Sequence, residues 1–552
     1  MIGVAIHSSE RAAASEFFEL FKTHWEYYEP DRTYDVLIST DPSLTSRGTA
    51  LSLIFGASPG TFDASHGINP QVQPAGSTLT HAGRRLPVYG AVATFPTSSD
   101  ILVREESTKT PALLALRNGG QTVIRVGYNL FSESQFLLTV GQPARHAGVA
   151  TLEHHLALLR DLITRAGHPF VEIPPVPAGY PFMVCLTHDI DHPILRNHRW
   201  DRTMFGFLFR ALFVSPINVC RGRSSVVGML RNWAAALRLP FVHLGLASDT
   251  WAEFDRYVEI ESGLGSTYFF IPERGNPGRN KNGPAPAKRA CQYTLAELGP
   301  QHKRITAAGN EIGLHGIDAW LDSRAGRQEK QCLEQATGLS AMGVRMHWLY
   351  FDKQSPSRLE EAGFSYDSSV GYNETIGYRA GTAQAYRPLG NKRLLELPLQ
   401  VMDTALFYPS YLDLNEPEAA RLIGRMLNEM AEFGGALTIN WHDRSIFAER
   451  RWDTFYNNLL DEMKRRRAWF PTAAQAVGWF RKRRNASIIS VCTEAGRIAI
   501  NTKDGEHDTL PGLTIRIHRP CPRSGMEALA TGPQARYQDV PFASSFNFEF
   551  QN

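Results

Sequence analysis

Cysteine is scarce in this 552-residue chain: six residues, at 185, 220, 291, 332, 492 and 521, with no CxxC pair among them. That scatter excludes a disulfide framework and a zinc knuckle, and predicts reduced, mostly structural thiols. Net charge is nearly absent as well, at +3, so bulk charge selects no partner. The opening residues, MIGVAIHSSERAAASEFF, lack the basic head and apolar run of a secretory signal. No window of 18 apolar residues runs free of charge, which argues against a membrane span and makes the cytoplasm the expected location. Internal repeats are lacking, and so is any recognised nucleic-acid-binding module, so nucleic acid is not an expected partner.

The length calls for two or more domains, since one core rarely grows past about 250 to 300 residues. Residues 2–7, 34–40, 50–56 and 122–131 read as strands, and 8–28 and 152–166 as helices, giving a small α/β domain over 1–172. His154 and His155 on the second helix read as a partly exposed pair. IPPVPAGYP, residues 173–181, has the composition of a linker. Beyond residue 485 the chain alternates apolar and polar residues around a turn at Lys503-Asp504-Gly505, which predicts a small β-rich appendage over 486–552. Past Cys521 it becomes rich in Gly, Pro, Ser and Ala.

Between these lies the informative region. Phe182 to Leu186 is a continuous apolar run, as strands buried on both faces are written, and it breaks at once into Thr187-His188-Asp189-Ile190-Asp191-His192. Asp189 and Asp191, one residue apart, leave the same side of an extended chain. Two adjacent carboxylates repel unless a cation or a shared proton relieves them, and a metal is the simpler reading. A solvated strand end with an N-cap aspartate is the alternative. Further strands are expected at 266–272, 311–316, 343–349, 365–371, 394–403 and 436–442, alternating with helices at 250–262, 294–308, 324–337, 357–362, 416–433 and 451–469. Seven strands with such spacing predict a parallel α/β barrel with right-handed crossovers. Chemistry-bearing residues stand at the strand ends: Asp189 and Asp191, His315, Arg345 and His347, Asp403, and His442-Asp443. Each alone could be a satisfied core residue; several on one rim of a barrel point to a site.

THDID, EIGLHGIDAW, GVRMHWLYFD, PLQVMD and TINWHD, in that order, resemble the successive motifs of the polysaccharide deacetylase (NodB-homology, carbohydrate esterase family 4-like) superfamily. The resemblance covers about residues 182–485. It implies a distorted (β/α)7 barrel and a metal-dependent hydrolase that removes N-acyl groups from amino sugars. It further implies Asp189 as the base, Asp191 and His315 as metal ligands, and Arg345 as the residue holding the base. Asp403 would orient His442, the general acid. The implied cofactor is a divalent ion, zinc first, with cobalt, nickel and manganese as alternatives. Two departures stand out. Ile190 separates the two aspartates, and position 319, where the second motif usually has another histidine, is alanine. His347, Asp318, Asp367 or His192 would have to supply the third ligand, with His347 the assigned candidate.

An insert over 192–247 carries Arg196, Arg199, Arg202, Arg210, Arg221, Arg223, Arg231 and Arg238 against the single acid Asp201, interleaved with apolar runs. Arginines among aromatic and aliphatic residues suit an anionic glycan, a lipid diphosphate or a membrane surface; a solvated helix is the plain alternative. Arg221, Arg223 and Trp441 are the candidate substrate contacts, and the expected partner is a saccharide on an anionic lipid carrier, with peripheral membrane contact. The leading function is N-deacylation, acetyl or formyl, of an amino sugar of a bacterial surface polysaccharide or its precursor. The alternatives are another C–N bond, such as a small amide, amidation of a uronic acid, or a catalytically silent glycan-binding or scaffold protein.

Overall fold

The computed structural model describes residues 1–41, 49–96, 103–118, 120–340, 342–494, 497–503, 509–520, 537–543 and 545–549. They fall into two compact units, the first comprising Met1–Gly179, Tyr378–Gly390 and Trp479–Asn552, the second Tyr180–Gly377 and Asn391–Gly478.

In the first unit the strands Trp25–Tyr27, Ile2–Ala5, Val36–Ser39, Leu51–Phe55 and Gln121–Val126 lie side by side in that order, all parallel, with Leu113–Asn118 antiparallel at the edge. Val36–Ser39 and Leu51–Phe55 are buried throughout, as strands covered on both faces must be. The helix expected from 8 to 28 is shorter. A turn at Ser8–Glu10 leads into a helix at Arg11–Phe21, which stops at Lys22 with φ 53°. Trp25–Tyr27 then joins the sheet beside Ile2–Val4. The strand expected to reach residue 131 stops at Val126, because the Asn129 side chain accepts from the N–H groups of Phe131 and Ser132 and caps a helix at Leu130–Thr139.

His154 and His155, expected to be half exposed, are both buried on the helix Thr151–Arg165. The His155 ring contacts the Tyr128 hydroxyl through Nδ1 at 2.9 Å, and burial pushes its pKa down to about 3. Ile173–Pro177, expected in a linker, is buried too; Ile173 offers its carbonyl to the buried guanidinium of Arg483. The tail is no free appendage. Its strand Thr514–His518 pairs antiparallel with Phe170–Glu172 and with Tyr537–Pro541, while Ser487–Glu494, Arg497–Lys503 and Ser545–Glu549 form a second small sheet. The expected turn at Asp504-Gly505, and residues 521–536, lie outside the described residues.

The second unit is built on one parallel sheet. Its strands are β1 (Met183–Ile190), β2 (Ser266–Phe270), β3 (Glu311–Gly316), β4 (Val344–Met346), β5 (Tyr366–Asp367), β6 (Leu395–Glu396), β7 (Val401–Met402) and β8 (Ala436–Asn440). The spatial order is β6-β5-β4-β3-β2-β1-β8-β7. All eight residues of β1 are buried. Eight paired segments replace the seven expected strands because the run 394–403 is interrupted at Pro398, which has no N–H to donate. Its first half pairs with β5 and its second with β8. Between them Leu397 N–H donates to the Asp367 carbonyl and Gln400 N–H to that of Thr438, so this single run joins both edges and closes the barrel. Helices at Ser323–Thr337, Ser355–Ala362, Glu416–Phe433 and Asp453–Arg465 fall where their apolar periodicity puts them. The 250–262 segment is mainly a 3-10 turn, Thr250–Arg256.

The insert after β1 folds as a helical hairpin. Helix α1 (Arg202–Phe209) runs through a π turn at Arg210–Val214 into α2 (Ser215–Cys220), and α3 (Val226–His243) returns.

Candidate active site

Strand alternation and register decide which side chains meet at the C-terminal rim. In β1, Thr187 and Asp189 face the barrel interior while His188 points outward, its ring stacked 4.0 Å from that of Tyr257 and Nε2 3.0 Å from the Glu261 carboxylate. Asp191 follows just past the strand end. β3 brings His315 opposite Arg345 of β4, and His347 follows two residues later on the same side.

Asp191, His315 and His347 offer ligand atoms that lie within 4.8 Å of one another. Asp191 Oδ1 is 3.3 Å from His315 Nε2 and 3.3 Å from His347 Nδ1, and those two nitrogens are 2.9 Å apart. The remaining ring nitrogen of each histidine faces a backbone carbonyl: His315 Nδ1 that of Arg345 at 3.0 Å, His347 Nε2 that of Arg289 at 3.1 Å. Those carbonyls can only accept, so each imidazole keeps its proton there and turns its lone pair to the common space. Burial pushes His347 down to about 4, against the pull of Asp191, which keeps the lone pair available. Asp191 Oδ1 is buried with no hydrogen-bond donor. Burial would raise the Asp191 carboxyl, but His347 and His315 hold it well below the usual range. Two imidazole lone pairs and a carboxylate oxygen, facing one another with no proton between them, fit a divalent cation.

Asp189 is held on both oxygens. Arg345 Nη1 donates to Oδ1 at 3.1 Å and Asn440 Nδ2 to Oδ2 at 2.7 Å. Arg345 is fully buried and is itself fixed by the Thr187 hydroxyl and by the Ser368 carbonyl and hydroxyl. A guanidinium placed this way keeps the carboxylate in one orientation; removing one member of such a buried pair typically costs about 3 to 5 kcal/mol.

On the opposite flank His442 Nδ1 meets Asp403 Oδ1 at 2.6 Å, and the His442 backbone N–H donates to Asp403 Oδ2 at 2.8 Å. Nε2 then points inward, 3.9 Å from Asp191 Oδ2. Burial would lower the imidazolium's pKa, but the Asp403 carboxylate, with Asp191 and Asp189, pushes it up to about 10. The site therefore sets an acceptor carboxylate on one side of the cation space and a protonated imidazole on the other.

Trp441, a candidate substrate contact, does not reach this space. Strand alternation between Asn440 and His442 sends its indole outward, where it is fully buried and stacked on Tyr456 and Phe455 with ring centroids at 5.0 and 6.0 Å. Of the alternative third ligands, Asp318 pairs with Arg279, Asp367 accepts from Ser369, and the His192 ring lies 5.0 Å from that of His198; none joins the cluster. Arg221 and Arg223 are exposed in the turn of the hairpin, and Arg223 pairs with Asp413 at 2.8 Å, beyond the short helix that Asp403 opens.

Asn440, Thr187 and Ser368 went unread in the sequence, although Asn440 lies two residues before His442, the period of a strand face. The backbone after His347 is also telling. Trp348 and Leu349 both take left-handed conformations, φ 60° and 52°, a strained choice for large residues that turns the chain away once His347 is presented. Trp348 remains half-buried beside it, ring centroids 5.8 Å apart.

No family model matches the chain, and no curated sequence is similar to it. Matches to solved structures cover about half of it. One named as a polysaccharide deacetylase from Mycobacterium smegmatis is 18% identical, covering 56% of this chain and 94% of its own, with a TM-score of 0.34. Puue allantoinase is 16% identical, covering 56% and 93%, also at 0.34. BA3943, a CE4 family pseudoenzyme from Bacillus anthracis, is 10% identical, covering 55% and 70%, at 0.24. In the second unit the five sequence motifs stand at the strand ends of one parallel sheet, and Asp189, Asp191, His315, Arg345, His347, Asp403 and His442 gather at its C-terminal rim.

Proposed function

We propose that the second unit hydrolyses an N-acyl group, acetyl or formyl, from an amino sugar of a bacterial surface polysaccharide or its precursor, in the cytoplasm. The convergence of Asp191, His315 and His347 between Asp189 and His442 carries this reading. Two imidazoles and a carboxylate suit zinc first, with cobalt, nickel or manganese as alternatives. A divalent ion held there would polarise the scissile carbonyl and lower the pKa of a water. Asp189, oriented by Arg345 and Asn440, accepts the proton of the attacking water as its oxygen bonds the carbonyl carbon. His442 then delivers its Nε2 proton to the sugar nitrogen as the C–N bond breaks, since an unprotonated amine leaves poorly. The acyl group departs as acetate or formate. His347 provides the donor that Ala319 lacks, which favours hydrolysis over a silent glycan-binding role.

Release of acetate or formate from a panel of N-acylated amino sugars and polymers, with the chain loaded with zinc or cobalt, tests the proposal. Acid release lost in Asp189→Asn is the expected result; no release from any member by the metal-loaded protein overturns it. An anionic carrier on the saccharide fits Arg221 and Arg223 on the hairpin turn. Arg221→Ala with Arg223→Ala is expected to raise KM for a diphosphate-bearing substrate by about tenfold and to leave KM for the neutral sugar unchanged. Equal effects on the two substrates would remove the carrier from the proposal.

A further inference from the structure

The hairpin α1-α2-α3 leaves many of its large apolar side chains on the outside. Among the described residues twenty large apolar side chains are exposed, and fourteen of them lie between Trp200 and Leu246. On α3 the outward stripe is Val226, Leu230, Trp233, Leu237 and Phe241, continued by Leu244, at the three- and four-residue spacing of a single helix face. Phe205, Phe209, Phe213 and Ile217 make the same stripe on α1 and α2. The inward positions are mixed: Met204 and Phe207 with Ala211 and Ser215 on one arm, Leu239 and Val242 with Gly228, Asn232 and Ala236 on the other. The arms are joined there by a hydrogen bond from Asn232 Nδ2 to Ser215 Oγ at 2.8 Å. A continuous stripe of large apolar residues left outside on both arms, with a buried polar bond between them, suits a lipid environment better than water.

The charges identify what covers this face. From Arg202 to Ser248 the chain carries six arginines and no acidic residue. Arg202, Arg221, Arg231 and Arg238 are exposed on the hairpin. A second copy seated on the same face would bring these arginines against their own kind, whereas anionic headgroups neutralise them while the phenylalanines and leucines enter the acyl layer. The hairpin is also fastened to the site. Arg210 pairs with Glu449, and the Glu449 backbone N–H donates to Asn232 Oδ1 at 2.9 Å, both in the loop that follows His442. The continuous helix Arg202–Cys220 is long and apolar enough to cross a membrane, yet only 22% of its apolar window is buried within the protein. The sequence expectation of no charge-free apolar window holds, but two arginines do not prevent burial in a headgroup interface, where they reach the phosphates.

We propose that this hairpin docks the protein onto an anionic lipid bilayer, its apolar stripe immersed and its arginines at the headgroups, so that the barrel rim faces the membrane. The inference goes beyond the deacylase reading and stands whether or not the site is active. The full chain should float with vesicles of phosphatidylcholine containing about one third phosphatidylglycerol, much less with phosphatidylcholine alone, and be released by high salt. Phe209→Ser, Phe213→Ser, Leu237→Ser and Phe241→Ser together should reduce partitioning at least about a hundredfold. Arg221→Ala, Arg231→Ala and Arg238→Ala should reduce it at least about tenfold and flatten the salt dependence. On the unaltered chain, Trp200 and Trp233 fluorescence should be quenched by brominated acyl chains, and the quenching lost in Trp200→Phe with Trp233→Phe. Absence of vesicle binding, equal binding to neutral vesicles, or a concentration-dependent dimer dissolved by the serine variants would each overturn the proposal.

Discussion

His347→Ala is expected to lose the divalent ion altogether, as are Asp191→Ala and His315→Ala. The unaltered chain should retain about one ion per molecule by elemental analysis. Each variant should bind zinc or cobalt at least about a hundredfold more weakly and release acyl groups at least about a thousandfold more slowly. Thermal unfolding supplies a readout that needs no substrate. An ion present at a hundred times its Kd stabilises the native state by about 2.7 kcal/mol, and that gain should vanish in all three variants. His347→Ala is the decisive one, because Asp318, Asp367 and His192 are the other candidates for the third ligand position. Full ion binding by His347→Ala, with loss in Asp318→Ala or His192→Ala instead, would show that the third ligand had been misassigned.

His442→Ala should bind the ion normally but lower kcat by roughly a hundredfold to ten-thousandfold, the usual worth of a placed general acid. The pH dependence separates a chemical role from a structural one. Because Asp403 pushes the imidazolium up to about 10 against the opposing effect of burial, the acid form is populated at neutral pH, and activity is lost as pH rises through the folded value. A cation beside Asp191 offsets part of that negative charge, so in the metal-loaded protein the alkaline limb should fall below 10. Asp403→Asn removes the first support and leaves burial dominant. The limb should then move down, to or below the unperturbed value of about 6.5. An alkaline limb of kcat unmoved in Asp403→Asn would take His442 out of the proton-donor role and leave Asp403 as packing.

Much of the barrel was legible because parallel strands buried on both faces are written as uninterrupted apolar runs. Residues 182–186 at the start of β1 form such a run, buried throughout, and it breaks at once into polar residues that reach the rim. The short strands were harder. Tyr366–Asp367 and the two halves of 394–403 pair over two residues each, too few for alternation to register. Only the meeting of both barrel edges at Pro398 explains why one run serves as two strands. Trp441 was misread for a related reason. Nearness in sequence to His442 implied nearness to the site, but neighbouring strand residues point to opposite faces.

The first unit and the hairpin mark the other boundary. An alternating tail reads as a sheet of its own, and nothing local reveals that Thr514–His518 pairs with Phe170–Glu172, since partners so far apart in the chain leave no periodic trace. The hairpin's periodicity is that of any amphipathic helix pair, and which stripe faces out depends on what the small residues pack against.

From its sequence alone this chain determined the kind of strand, the order of its motifs and the residue types at each strand end, because those depend on patterns a few residues long. Tertiary structure alone decided that His347 joins Asp191 and His315 and that Asn440 grips Asp189. Those outcomes depend on register between strands and on which lone pairs remain after backbone carbonyls have taken the other ring protons, and no local pattern encodes either.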